Sequence, residues 1–263
     1  MSDIRRPIAV IDSGLGGVSV LAYLIEQMPN EDIVYFGDTL NAPYGSKAQE
    51  TVKNITLANL RMLIDKYSVK ALVIACNTAT GAAASACRET FTDLPIIGIE
   101  PAIKPAVLKS GKDNPNILVM ATPLTLAQEK FTSLAEKYNP NSSIIALPCP
   151  GLSELIERNA DDSEIRSLLG ELFSSIDIMS IDSIVLGCTH YPLVADIIKE
   201  FFKDASLYDG GKGTAIQTKR RLEECGICTD FDKKGNILFL NSANDPEFEN
   251  SARKYIKKIK GEK

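Results

Sequence analysis

The chain has 263 residues, enough for one large domain or two small ones. Its 44% hydrophobic and 24% charged residues exclude wholesale disorder, and 29 Lys and Arg against 34 Asp and Glu (net charge −5) exclude a strongly basic nucleic-acid binder. No run of 18 apolar residues is present, the N-terminus lacks a signal-peptide core, and six scattered cysteines read as free thiols, so the sequence predicts a soluble, cytosolic, globular protein.

Short apolar runs predict strands at 7–12, 32–37, 70–75, 95–99, 116–121, 143–147, 182–187 and 236–241. Helical periodicity predicts helices between them, among others at 18–28, 49–66 and 124–138. Several runs are apolar at consecutive positions, which requires cover on both faces and marks central parallel strands. The alternation predicts an α/β fold with a largely parallel sheet.

The first strand ends in Asp12-Ser13-Gly14-Leu15-Gly16-Gly17. A dinucleotide fingerprint needs a third glycine where Ser19 stands, and no Gly-x4-Gly-Lys-Ser/Thr occurs, so these glycines predict close backbone approach to a small anion or carboxylate. The second strand ends in Asp38 and a rigid turn through Pro43, Tyr44 and Gly45, with Gly45 available for a left-handed residue. Cys76 and Cys188 each close a buried run and precede a predicted helix, where N-terminal N–H groups favour a thiolate. His190, the only histidine, stands two positions after Cys188, where it could tune that thiol or move protons. A single histidine excludes a multi-histidine metal site, and the lone Cys225-Gly226-Ile227-Cys228 has neither a second pair nor a nearby histidine for zinc.

Two segments repeat. The run ending at Asp12-Ser13 resembles that ending at Ala121-Thr122, and the run ending at Cys76-Asn77-Thr78 resembles that ending at Cys188-Thr189-His190. Ser13 lies 63 positions before Cys76, and Thr122 lies 66 before Cys188. This spacing predicts a duplicated architecture with breaks near 98–105 and 208–213, each half offering a hydroxyl turn and a cysteine at strand carboxyl ends, where α/β sheets bind ligands. Facing halves would set the two sulfurs on opposite sides of one ligand, suited to taking a proton from one face of a carbon and returning one to the other. The positively charged end, 251–263, reads as a solvated helix with a frayed tail.

These motifs, together with Ala121-Thr122-x-x-Thr125 and the segment from Cys149-Pro150 to Glu157, span nearly the whole chain. In that order they resemble the glutamate racemases of the aspartate/glutamate racemase superfamily. The resemblance implies two similar α/β domains related by pseudo-twofold symmetry, 1–98 with 209–263 and 99–208, with the active site in the cleft between them. It implies Cys76 and Cys188 as the two acid/base residues, Asp12 supporting the first, Glu157 and His190 the second. It further implies that Asp12, Ser13, Pro43, Tyr44, Gly45, Asn77, Thr78, Thr122, Thr125, Thr189 and His190 bind glutamate. No cofactor and no metal is implied; D-glutamate would serve peptidoglycan synthesis, and the family commonly forms homodimers. The rival readings are an aspartate racemase with the same cysteine pair, a two-lobed amino-acid or anion-binding protein, and a thiol redox protein resting on Cys225 and Cys228.

Overall fold

The structure, a computed structural model, describes residues 3–138, 140, 142–230 and 232–261. The last two residues of the expected frayed tail lie outside the described residues. In chain order the elements are β1 (Ile8–Asp12), α1 (Val18–Gln27), β2 (Ile33–Gly37), α2 (Gln49–Tyr67), β3 (Ala71–Ile74), α3 (Asn77–Thr90), β4 (Ile96–Gly98) and α4 (Ile103–Leu108). There follow β5 (Asn116–Ala121), α5 (Pro123–Ala127), α6 (Glu129–Tyr138), β6 (Ser143–Pro148), α7 (Leu152–Glu157), α8 (Asp162–Phe173) and β7 (Ser183–Leu186). The chain closes with α9 (Ala195–Phe201), β8 (Ser206–Asp209), α10 (Gly211–Glu224), β9 (Ile237–Asn241) and α11 (Phe248–Lys260).

The strands form two fully parallel sheets, one ordered β4-β3-β1-β2-β9 and the other β6-β5-β7-β8. Read from the other edge, the first sheet runs β2-β1-β3-β4, the same order as the second with each strand in its equivalent place. The duplication expected from the repeated segments is therefore a duplication of topology, and among the described residues β9 is the one added strand. The central strands β1 and β3 are buried along their whole length, as their unbroken apolar runs require. Side chains such as Ile8, Val10, Leu72 and Ile74 have no exposed surface, each burial contributing roughly 1.5–3 kcal/mol.

Two expectations need correction, and one strand was not anticipated. The stretch 124–138 is two helices, because Gln128 adopts extended backbone and sends its amide Nε2 to the carbonyl of Thr78, 3.0 Å away. The glycine-rich link at 208–213 is instead the end of β8 and the start of α10. β8 itself carried no signal, since Ser206-Leu207-Tyr208-Asp209 is a half-exposed edge strand without an apolar run.

Candidate active site

Strand β3 is followed by only Ala75 and Cys76 before α3 begins, so Cys76 becomes the residue that caps the helix, its Sγ accepting from the N–H of Ala79 at 3.5 Å. Strand β7 occupies the equivalent place in the other sheet and delivers Cys188 two residues past its end. Both thiols are buried and line one cavity of about 290 Å³.

The two cysteines are supported differently. Burial pushes the Cys76 thiol up and the Asp12 carboxylate adds to the shift; the Ala79 N–H and Ser13 offset only part of it. That corrects the expectation of a thiol lowered by a helix N-terminus: one long N–H contact does not outweigh burial beside a carboxylate. No α-helix begins at Cys188 either, because a 3-10 turn at Tyr191–Val194 precedes α9. Its partner is the His190 ring, with Nδ1 3.7 Å from Sγ and Nε2 2.5 Å from Oε2 of Glu157. Burial opposes the imidazolium, but Cys188 and Glu157 outweigh it and hold the His190 pKa well above its ordinary value. Burial likewise opposes the Glu157 carboxylate, and His190 with the Leu15 N–H overcome it, leaving Glu157 below the usual carboxylate range.

The glycine turn explains how these groups come so close. The N–H of Gly14 donates to Oδ2 of Asp12 at 3.1 Å, and that of Leu15 donates to both oxygens of Glu157 at 3.1 and 3.0 Å. The anions met by this loop are therefore the protein's own carboxylates. A Cβ on Gly14 would strike the Glu157 carboxylate, and one on Gly16 would strike the His190 ring and Thr189. Thr189 Oγ1 donates to Oδ1 of Asp12 at 3.1 Å, and Ser19 Oγ donates to the Thr189 carbonyl at 3.0 Å, tying the halves together.

On the other flank, the hydroxyls of Thr78, Thr122 and Thr125 form a triangle with sides of 2.9–3.0 Å. Tyr44 donates to Oδ2 of Asp38 at 2.6 Å, and Asn59 donates to the same oxygen at 2.9 Å. Gly45 does not use the left-handed region; it is a glycine because a Cβ would lie 2.6 Å from that of Thr122.

Of the residues singled out from sequence, Ser13, Pro43, Tyr44, Gly45, Cys76, Asn77, Thr78, Thr122, Glu157, Cys188, Thr189 and His190 line the cavity. Asp12 and Thr125 stand just behind this wall, buried and bonded to Thr189 and to the Thr78–Thr122 pair. Sequence reasoning missed Thr39, Ala42, Ser153, Glu154 and Arg158, which also line it. Glu154 lies three positions before Glu157 on α7, a helical spacing that could have flagged it. Cys225 is exposed, Cys228 half-buried and Cys149 buried; all three lie outside the cavity lining. Among the described residues no group of three or more His, Cys, Asp or Glu is placed to hold a metal ion, and no helix is long and apolar enough to cross a membrane. A wider groove of about 1240 Å³, between Tyr23, α4 and α10, contains none of the predicted residues.

Residues 8–216 match the family described as Asp/Glu/Hydantoin racemase. The chain is 46% identical over 246 residues to a glutamate racemase from Clostridium acetobutylicum, covering 93% of this chain and 95% of that one. It is 45% identical over 258 residues to one from Clostridium botulinum, covering 97% and 99%. Among solved structures it is similar to a Francisella tularensis glutamate racemase in complex with D-glutamate, with a TM-score of 0.83 and 29% identity over 97% of this chain and 94% of that one.

Proposed function

The chain belongs to the Asp/Glu/Hydantoin racemase family and is a racemase; on that premise we propose that it interconverts L- and D-glutamate by proton transfer at Cα between Cys76 and Cys188. The observation that carries the reading is that two cysteines at the carboxyl ends of equivalent strands, β3 and β7, line one cavity. Thiols on opposite sides of Cα let one take the proton while the other delivers one to the far face. With L-glutamate bound, the C–H bond breaks to form S–H at Cys188, and the S–H bond of Cys76 breaks to form C–H on the opposite face; D-glutamate reverses the roles. A Cys76 thiol held protonated by burial and by Asp12 suits the acid in the first direction.

Cα–H beside an ionised carboxylate is a weak acid, so the carbanion needs donors that strengthen as charge develops. The hydroxyls of Ser13, Thr78, Thr122 and Thr189 supply them. The buried Oδ1 of Asn77 has no hydrogen-bond donor, and a substrate ammonium satisfies it. Asp12 supports Cys76, while Glu157 and His190 support Cys188; Pro43, Tyr44, Gly45 and Thr125 complete the binding wall. No metal or cofactor takes part.

The remaining parts of the reading rest on the family. D-Glutamate feeds peptidoglycan synthesis in the cytoplasm, the enzyme is a homodimer without nucleic-acid or membrane partners, and its domains are 1–98 with 209–263 and 99–208. Chiral chromatography tests the activity, with L- and D-glutamate and L- and D-aspartate each incubated after dialysis against a chelator and with no cofactor added. Racemised glutamate and unchanged aspartate are expected. Racemised aspartate, or activity restored only by metal, contradicts the proposal.

A further inference from the structure

We propose that the C-terminal helix α11 positions the Glu157–His190 pair, with Tyr255 and Lys258 as its two positioning residues. The helix packs on α1 and β9, elements of the first sheet's half. From there it reaches the second half through two hydrogen bonds. The Tyr255 hydroxyl donates to Oδ1 of Asn159 at 3.2 Å, and Nζ of Lys258 donates to the carbonyl of Leu193 at 2.9 Å. Asn159 lies two residues after Glu157 and ends its helix in left-handed backbone, φ 54°. Leu193 lies three residues after His190, within the 3-10 turn. Each arm of the pair is therefore tied, a few residues along, to the same helix.

Glu157 and His190 come from separate connections, one between β6 and α8, the other between β7 and α9. Their 2.5 Å contact requires those connections to keep a fixed separation. Helix α7 has only six residues, too few to hold its own end in place. Tyr255 stands near enough to the pair for its hydroxyl to respond to both charges, Glu157 raising its pKa and His190 opposing that rise, after burial as the leading cause. Lys258 is exposed, and Tyr255 is half-buried with its ring packed on the edge of the core; Phe and Met keep the apolar bulk, so removing the two bonds loosens the pair and leaves the fold intact. A displacement of about 1 Å at such a site can change rate by roughly a hundredfold.

The inference rests on the reading that Cys188, backed by this pair, serves one enantiomer only. Its test uses Tyr255→Phe, Lys258→Met and the double variant with both enantiomers of a glutamate analogue carrying a leaving group at Cβ. Once the Cα proton is taken, the C–H electron pair becomes a double bond and the group departs. Elimination from the enantiomer served by Cys188 falls roughly tenfold in the double variant, within the range expected for losing two net hydrogen bonds, while the other enantiomer changes by less than about twofold. The ¹⁵N signals of the single histidine move with it, and Lys254→Met, on the same helix, changes neither. Equal losses for both enantiomers with an unmoved histidine spectrum, or no loss at all, overturn the proposal. Cys76→Ser and Cys188→Ser define which enantiomer each thiol serves. If those two variants show no preference, the two-thiol reading fails; if they do and Tyr255→Phe with Lys258→Met shows none, only the positioning role fails.

Discussion

Thr189 donates through Oγ1 to Oδ1 of Asp12 at 3.1 Å, so the residue after Cys188 is fastened to the carboxylate whose charge bears on Cys76. The supports of the two thiols are thus interlocked across the cavity. Asp12→Asn keeps the shape and removes the charge that helps burial raise the Cys76 thiol. We expect Cys76 to alkylate at lower pH in the variant than in the parent, read by mass spectrometry of the Cys76 peptide after timed iodoacetamide treatment. An unchanged or upward-shifted profile would mean that burial alone governs this thiol.

Glu157→Gln tests the second support. Burial disfavours the charged His190, but Cys188 and Glu157 raise its folded pKa above 6.5; that stabilisation is complete below 6.5 and disappears as pH rises through the folded value. Glu157 is lowered despite burial, by His190 and the Leu15 N–H, so its share is present above 4.5 and is lost as pH falls through its folded value. Between those limits the variant should lose about 2 kcal/mol of stability, the worth of a charged hydrogen bond. The imidazole titration should move down in pH, and NMR of the only histidine reads it without assignment.

Gly45→Ala tests close approach rather than charge. The new methyl would meet Thr122 Cβ at 2.6 Å and push apart two walls of the cavity. With substrate groups displaced by up to about 1 Å, kcat/KM should fall by roughly a hundredfold. A thermal melt close to the parent's would place the effect in the cavity. Retained kcat/KM would mean that Thr122 can retreat freely.

The Lys70–Glu31 ion pair is not part of the cavity lining and is almost fully buried, with Nζ 2.5 Å from Oε2. Nζ also donates to the carbonyls of Ile4 and Ile227 at 3.0 and 2.9 Å, closing the first sheet's end against the segment after α10. Lys70→Met strands the Glu31 charge and should lower stability by about 3–5 kcal/mol. Denaturant titration measures the loss, and the activity of the folded fraction should stay as in the parent. The double variant Lys70→Met/Glu31→Leu should regain most of the loss.

The fold was legible where burial leaves a mark on residue type. Ala71-Leu72-Val73-Ile74 and Ser183-Ile184-Val185-Leu186 announce central strands, and their spacing announced the repeat. Edge strand β8 was not legible, because a half-exposed strand need not be apolar. The break at Gln128 was hidden for another reason: its cause is the Thr78 carbonyl, 50 positions away. Both cysteines and the residues beside them could be read from motifs that recur twice. His190 could be flagged from its place two residues after Cys188, but the upward direction of the Cys76 shift and the Glu157–His190 and Asp12–Thr189 contacts could not, because those arise only in the tertiary structure.

In the proposed mechanism Cys76 and Cys188 act on opposite faces of one carbon. Its most direct test is elimination from each enantiomer of the β-leaving-group analogue by Cys76→Ser and by Cys188→Ser, with folding verified by circular dichroism. A serine hydroxyl without an activating base is too weak to take the proton near pH 7, so each variant keeps only the enantiomer facing its remaining thiol. Mirror-image preferences are expected, with Cys188→Ser turning over the D analogue and Cys76→Ser the L analogue. Two well-folded variants that each process both enantiomers at equal rates would contradict it.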